Sequence, residues 1–227
     1  MKVRMFHQNE IARAIRLICQ SSAALAEDVS SGSVLNVGSN ALFAAGQPVR
    51  LRDSAGHEEL TVQQTAGLTT VVVSETIEGE YLMSRGARLQ RMGGGLEDLA
   101  WVGQGSPDLL PGSPADRYPC VVVKPGTMRQ PPGEGSNRTF QQDYQFEVYY
   151  VARYEEGQRA NIEVLDAAGD LFNLLMEDTY LGGTCWFSQV TEVDPEPREQ
   201  VKLREREMPL RVVKLTVLAR RAAAKAG

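Results

Sequence analysis

The sequence predicts an α+β fold: an antiparallel sheet with helices packed on one face, plus an inserted small all-β barrel or sandwich module. From Tyr144 to Val151 apolar and polar residues alternate, which is typical of a strand with one buried face. From Ile162 to Leu175 apolar residues recur every three or four positions, as on one side of a helix. Short apolar runs within residues 27–92 indicate the β module. The predicted domains are residues 1–26 joined with 93–227, and 27–92 between them.

The first predicted element is a helix from Gln8 to Ala26. Its apolar residues keep helical spacing, and Asn9 is a residue type that caps helix starts. These apolar positions are Ile11, Ala14, Ile15 and Ile18. We expect them to pack on the sheet.

The segment between residues 27 and 92 is rich in Val, Gly, Ser and Thr. Short apolar runs separated by turn residues at spacings of about ten positions are typical of a small barrel or sandwich. The runs are Ser33–Val37, Val49–Arg52, Glu59–Val62, Thr69–Val73, Glu80–Met83 and Ala87–Leu89. Gly93–Gly95 follows as a flexible joint between domains. No Gly-Lys-Ser/Thr follows these glycines, so they do not predict a phosphate-binding loop.

Beyond this joint the sequence predicts a helical turn, a strand and a loop. The turn spans Leu96 to Val102, with Trp101 packed inward. Tyr118 to Lys124 is apolar on both faces and predicts a strand that ends at Pro125–Gly126. Thr127 to Asn137 holds two prolines and two glycines and few core-forming residues, which predicts a mobile loop.

The last part of the chain completes the sheet. The glycine pair Gly182–Gly183 permits the left-handed turn that closes the second helix. Cys185 to Val193 and Val212 to Ala219 read as strands, whereas Arg220 to Gly227 lacks an apolar stripe and predicts a frayed end.

Composition excludes several classes of function. A formal net charge of −5 disfavours nucleic acid or anionic lipid as the main partner. Cys19, Cys120 and Cys185 form no CxxC pair and predict small buried hydrophobes in a reducing compartment. No secretory signal begins the sequence, and no apolar run reaches the ~20 residues of a membrane span. We therefore expect synthesis in a cytosol and no membrane partner.

The charges are unevenly distributed along the chain. Asp143 to Glu196 contains twelve acids and two bases, and Arg198 to Lys225 contains nine bases and three acids. Solvated surfaces explain such runs, but oppositely charged regions also suit head-to-tail contacts between copies. The second interpretation predicts that the two regions lie on opposite flanks of the subunit.

No residue set argues for catalysis. His7 and His57 lack a second ligand at zinc spacing, and no GxSxG elbow is present. The paired carboxylates, such as Glu192 and Asp194, show no sign of a shared cleft and are explained by solvation. We therefore expect no metal, no cofactor and no enzymatic activity. A small-molecule enzyme with its site between the two modules remains the alternative.

The order of elements resembles the tail terminator (tail-tube completion) proteins of long-tailed bacteriophages. The matching features cover residues 1–26 and 93–222, and the module at 27–92 departs from the compact members of that family. They are the first helix with Ile11, Ile15 and Ile18; the strand Tyr118–Val123 followed by Lys124-Pro125-Gly126 and a mobile loop; the strand Tyr144–Tyr150; the helix Ile162–Leu175; the exit Leu181-Gly182-Gly183; and the strand Val212–Arg220.

The resemblance implies a virion protein of the tail and neck, assembled in the host cytoplasm as a hexameric ring. Such a ring terminates the tail tube and joins it to the head-neck connector. The implied partners are further copies of the chain, the tail tube protein, the connector or stopper protein and, in a contractile tail, the sheath; DNA only passes through the channel. Another neck component, a head-completion or stopper protein, is the nearest alternative.

The resemblance also suggests which residues make contacts. The predicted partner-docking loop contains Thr127, Met128, Arg129, Gln130, Glu134 and Asn137. The predicted charges between subunits are Glu155, Glu156, Glu163, Asp166, Arg204, Arg206, Arg211 and Lys214.

Overall fold

A computed structural model of the chain describes residues 6–93, 96, 99–105, 118–129, 139–153, 158–195 and 210–224. These residues form two α-helices, eleven strands and a short 3-10 helix at Met83–Arg85. Most of the fold is antiparallel sheet, and part of that sheet is curled like half a barrel. The predicted α+β class therefore agrees with the observed fold only in outline.

The bounds of the elements in chain order are α1 Phe6–Cys19, β1 Ser22–Ala24, β2 Gly32–Asn36, β3 Pro48–Arg52, β4 His57–Ala66, β5 Thr70–Ile77, β6 Arg88–Arg91, β7 Trp101–Gln104, β8 Cys120–Arg129, β9 Thr139–Arg153, α2 Gln158–Glu177, β10 Phe187–Asp194 and β11 Leu210–Ala224.

Strands β1 to β6 form one six-stranded antiparallel sheet in the order β1-β6-β3-β4-β5-β2. The sheet curls until its outermost strands meet: the Ala26 N–H donates to the Asn36 carbonyl at 2.8 Å, and the Gly38 N–H donates to the Ala24 carbonyl at 2.9 Å. A bulge in β4 between Val62 and Gln64 adds local twist that favours this curl. The sheet begins with β1, upstream of the boundary predicted at residue 27.

The other sheet has five strands in the order β10-β11-β9-β8-β7. Strands β9 and β11 pair along fifteen positions each, from Leu210 opposite Arg153 to Ala224 opposite Thr139. The pair β7 and β8 is parallel, so the prediction of a wholly antiparallel sheet is wrong at this edge. Trp101 begins strand β7 and does not belong to the predicted helical turn.

Both helices pack on one face of the five-stranded sheet. Alternate residues of β9, including Phe146 and Val148, share a hydrophobic core with Ile11 of α1 and Leu171 of α2. The interior of the curled sheet, including Leu51, belongs to the same core. The opposite face of the five-stranded sheet carries a smaller apolar cluster of Cys120, Val122, Tyr149 and Val151. The two-sided burial of β8 agrees with its apolar sequence.

Helix α2 buries only part of the predicted stripe: Ala168 and Leu175 are buried and Phe172 packs partly on the core, but the stripe's first two residues are not buried. Ile162 and Leu165 are 58% and 46% exposed, whereas Val164 and Leu171 are buried. Two apolar stripes follow the helix at similar spacing, and only the one centred on Leu171 faces the sheet. Periodicity showed an amphipathic helix but could not show which of two stripes would find a partner.

Several predicted boundaries are also wrong. The first helix ends at Cys19 because β1 begins at Ser22 and pairs with β6. Strand β11 continues to Ala224, where the sequence predicted a frayed end, because β9 supplies backbone partners along its whole length. The predicted run Glu80–Met83 contributes only an isolated bridge from Tyr81 to Val29. Gly94 and Gly95 of the predicted joint lie outside the described residues.

Within the described part of the chain, neither helix is both long and apolar enough to cross a membrane.

Candidate functional site

The described acidic and basic regions lie side by side in one sheet. Strand β11, which holds the basic residues, lies between β9 and β10, which hold acidic ones. The Arg220 guanidinium donates to both carboxylate oxygens of Asp143, at 2.8 and 3.0 Å. Lys214 lies opposite Asp194 on β10. The prediction that these regions occupy opposite flanks of the subunit is therefore wrong for the described residues.

The residues predicted to join subunits are consequently divided. Glu163 and Asp166 are exposed on α2, whereas Arg211 and Lys214 are half-buried in β11 within the sheet. The remaining four predicted charges, Glu155, Glu156, Arg204 and Arg206, lie outside the described residues. Of the four predicted charges that the structure describes, the two acids on α2 are the exposed ones.

The predicted docking loop is shorter than the sequence indicated. Thr127, Met128 and Arg129 are exposed residues of β8, where Met128 and Arg129 pair with β9. A bulge between Pro125 and Met128 carries the strand past the proline, which cannot donate a backbone hydrogen bond. The strand thus continues beyond its predicted end. Gln130, Glu134 and Asn137 lie outside the described residues.

The polar part of the sheet's second face is internally paired. The Lys124 ammonium lies 2.8 Å from a Glu147 carboxylate oxygen and 5.9 Å from the centre of the Tyr149 ring. Burial by itself raises the pKa of Glu147, but hydrogen bonds from Lys124 and Tyr149 outweigh it and lower the pKa. These charges satisfy one another within the subunit.

A cavity of about 310 Å³ lies where α1, the curled sheet and the α2–β10 connection meet. Part of its polar lining is hydrogen-bonded within the chain. The Asp178 carboxylate accepts the Gly182 N–H at 2.8 Å and the Tyr180 N–H at 3.2 Å, and the Thr184 hydroxyl donates to the Leu181 carbonyl at 2.7 Å. These contacts fix the connection after α2 and leave no activated nucleophile beside a base.

The cysteines and histidines do not supply reactive groups here. All three cysteines are buried and free, and burial raises the pKa of Cys19, Cys120 and Cys185 to about 12 each. Their thiols therefore stay protonated at neutral pH, as expected of small buried hydrophobes. His57 is exposed, and His7 lies 3.4 Å from Glu10. Among the described residues no three potential metal ligands gather together.

An exposed apolar surface follows α2 and continues to the edge strand β10. The second stripe of α2 contains the exposed Ile162, Leu165 and Met176, with Gly169 between them and Phe172 partly buried against the core. Met176 connects it to β10, because its sulfur accepts the Val190 N–H at 3.5 Å. Trp186, just before β10, and Phe187 and Val193 of β10 are 60%, 44% and 46% exposed. We call this set the α2–β10 surface.

Sequence reasoning missed a cluster of arginines on the outside of the curled sheet. Val49, Leu51 and Leu89 point into the core, so the alternate residues Arg50, Arg52 and Arg88 point outward. Arg52 lies opposite Arg88 on the neighbouring strand. The signal was present in the strand sequences PVRLR and RLQR, in which arginines alternate with apolar residues. We call these three residues the arginine face.

No protein-family model matches this sequence, and no curated protein matches it either.

Proposed function

We propose that this chain is a structural subunit of a long-tailed bacteriophage, which assembles with copies of itself into a ring that terminates the tail tube. In this proposal the ring, a hexamer, binds the tail tube protein on one side and the connector or stopper protein on the other. The chain has no catalytic role, and its place is the neck of the virion.

The observation that carries the proposal is the α2–β10 surface. Exposed apolar residues on monomeric proteins are scattered singly, whereas contiguous apolar patches mark interaction sites. Here Trp186 is 60% exposed and Ile162 is 58% exposed, on elements connected through Met176. Burying this surface against another protein removes apolar area from water, which favours assembly.

The order of elements supports the particular kind of assembly. The helix α1, the paired strands β8 and β9, the helix α2 and the strands β10 and β11 follow one another as the resemblance to tail terminators requires. The finer description of the fold, an α+β core with the β module inserted near its start, is part of this proposal. The charge argument no longer supports it, because Arg220 is paired with Asp143 of the same chain.

The same surface suits a head-completion or stopper subunit, which differs in the partner that it binds. A small-molecule enzyme is favoured only by the cavity of about 310 Å³ between α1 and the curled sheet. Because Asp178 and Thr184 in the lining of that cavity are occupied by internal hydrogen bonds, we rank an enzyme below a structural role.

Light scattering after size exclusion, followed by electron microscopy with purified tail tubes, tests the proposal. We expect an oligomer, or a monomer that becomes a ring at tube ends and stops further polymerisation. A stopper would instead bind the head connector and ignore bare tubes. If the chain remains a monomer in the presence of tail tubes and of head connectors, the structural role is wrong.

A further inference from the structure

Two of the three residues of the arginine face, Arg52 and Arg88, have no acidic partner among the described residues, whereas Arg50 pairs with Glu59 at 2.8 Å. Among the described residues Arg88 makes no hydrogen bond or ion pair, and Arg52 reaches only the Gln90 amide oxygen, at 3.4 Å. The Nε atoms of Arg50 and Arg88 are buried without an acceptor. Burial and the neighbouring Arg52 lower the pKa of Arg88. An approaching carboxylate would relieve the repulsion between Arg52 and Arg88.

Helix α2 presents carboxylates at a matching spacing. Asp166 and Asp170 are exposed, and they make no ion pair within the described part of the chain. They are four residues apart on a helix, which separates them by about 6 Å along its axis. Arg52 and Arg88 face each other across neighbouring strands, where Cα atoms are about 5 Å apart. Two carboxylates on one helix can therefore reach two guanidinium groups on one sheet.

The two acids also adjoin the apolar stripe of α2. Asp166 follows Leu165, and Asp170 follows Gly169, so the acids border the exposed Ile162 and Leu165. A contact formed here combines an apolar centre with a charged margin, which is the usual composition of a protein interface.

We infer that the acidic side of α2 in one copy docks on the arginine face of the next copy, as the head-to-tail contact of the proposed ring. The inference rests on the proposed function and specifies which surfaces meet. In such a contact one copy uses its acidic face and the next copy uses its arginine face. Each copy therefore has one face left for a further copy, and successive copies can close a ring. The formal net charge of −5 disfavours nucleic acid as the partner of the arginine face.

Charge reversal on each side tests this contact. The basic-face variant carries Arg52→Glu and Arg88→Glu, and the acidic-face variant carries Asp166→Arg and Asp170→Arg. For each variant alone, we expect the protein concentration needed for assembly to rise by about tenfold or more, because like charges then face each other. The variant with all four changes should regain assembly, because the charges are again complementary. Glu78→Arg, at an exposed position elsewhere on the curled sheet, should assemble as the unchanged chain does.

Mixing the two one-sided variants gives the sharper result. Every contact between the two unlike variants is charge-complementary, so an equimolar mixture should regain assembly with the variants alternating, as light scattering would show. Thermal unfolding checks that every variant is folded. If either variant assembles alone, or the mixture does not assemble, the contact is elsewhere.

Failure of the inference can be told from failure of the proposed function. If the chain forms rings that cap tail tubes, and none of the four changes affects their assembly, this contact is wrong but the proposed function is supported. A chain that neither assembles nor binds tubes overturns both. Loss of duplex DNA binding in a gel shift by the basic-face variant, with assembly unchanged, would assign the arginine face to nucleic acid and overturn the inference.

Discussion

Gly38, two residues after β2, lies close to the connection after α2. A Cβ atom at this position would lie 3.0 Å from the backbone carbonyl oxygen of Gly182. Contacts that short are rare for a real Cβ atom, and a backbone neighbour cannot rotate away as a side chain can. The absence of a side chain at Gly38 therefore permits the two segments to pack.

We predict that Gly38→Ala lowers the free energy of unfolding by about 1–3 kcal/mol, because the added methyl group overpacks this contact. Urea unfolding followed by circular dichroism measures the change. Gly56→Ala is the matched control, since a Cβ there meets nothing within 4 Å. Equal stability of the two variants would show that the Gly38 contact tolerates a methyl group.

The ion pair of Glu10 and Arg221 joins α1 to β11 at an exposed site. The Arg221 guanidinium donates to the Glu10 carboxylate at 2.7 Å, and this hydrogen bond lowers the pKa of Glu10 more than any other interaction. A carboxyl group with a lowered pKa in the folded state stabilises the fold above its unfolded pKa. That contribution is lost as pH falls through the folded pKa.

We predict that Arg221→Met destabilises the protein at pH 7 by a few tenths to about 1 kcal/mol, as is usual for exposed pairs. The deficit should disappear in acid, once Glu10 is protonated in both the variant and the unchanged chain. Unfolding in urea between neutral and strongly acidic pH measures this difference. Arg13→Met is the control, because exposed Arg13 has no ion-pair partner within the described residues. A deficit that persists unchanged in acid would contradict the assigned role.

At the scale of an element, α2 carries two apolar stripes with different roles. Leu171 is fully buried against the sheet, whereas Ile162 and Leu165 are exposed. The buried stripe holds the helix in place, and the exposed stripe belongs to the α2–β10 surface. The two roles can be separated because they depend on different residues.

Leu171→Ala should cost about 2–5 kcal/mol of unfolding free energy, because it leaves a cavity in the core. Ile162→Ser with Leu165→Ser should leave stability nearly unchanged, because neither side chain is buried in the single chain. The same pair of changes should weaken assembly, since apolar area is lost from the contact. Parallel unfolding and light-scattering measurements compare them. Unchanged assembly by the double variant would remove the α2–β10 surface from the interface.

At the scale of the whole molecule, changes in the connection between β8 and β9 can test folding and docking separately. Residues 130–138 lie outside the described residues, whereas Met128 and Arg129 pair with Tyr144 and Asp143. A deletion from Thr127 to Asn137 would therefore remove part of the sheet as well as the connection.

We predict that replacing residues 130–138 with a short Gly-Ser linker preserves the thermal unfolding midpoint and reduces binding to tail tubes or connectors. The longer deletion from Thr127 should in addition lower stability by about 1–2 kcal/mol, because strand hydrogen bonds are lost. Calorimetry and a tube-binding assay distinguish the two effects. Full tube binding by the linker variant would show that this connection does not dock.

Local sequence patterns were sufficient to predict features that depend only on neighbouring residues along the chain. Alternation from Tyr144 to Val151 predicted β9, and the punctuated apolar runs predicted five of the strands in the curled sheet. Burial of the three cysteines also followed from their composition and spacing. These features depend on the period of side chains along a backbone, which is two residues in a strand and about 3.6 in a helix.

Partners distant in sequence were decided only by the tertiary structure. Arg220 and Asp143 are 77 residues apart and form an ion pair within the chain, which the segregation of charge along the sequence could not reveal. Strand β11 extends to Ala224 only because β9 lies beside it, and Arg52 meets Arg88 only because β3 pairs with β6. The sequence determines the period and the polarity of each segment, but strand pairing determines which faces meet and which remain exposed, because a side chain's neighbours across a sheet are set by register and not by order along the chain.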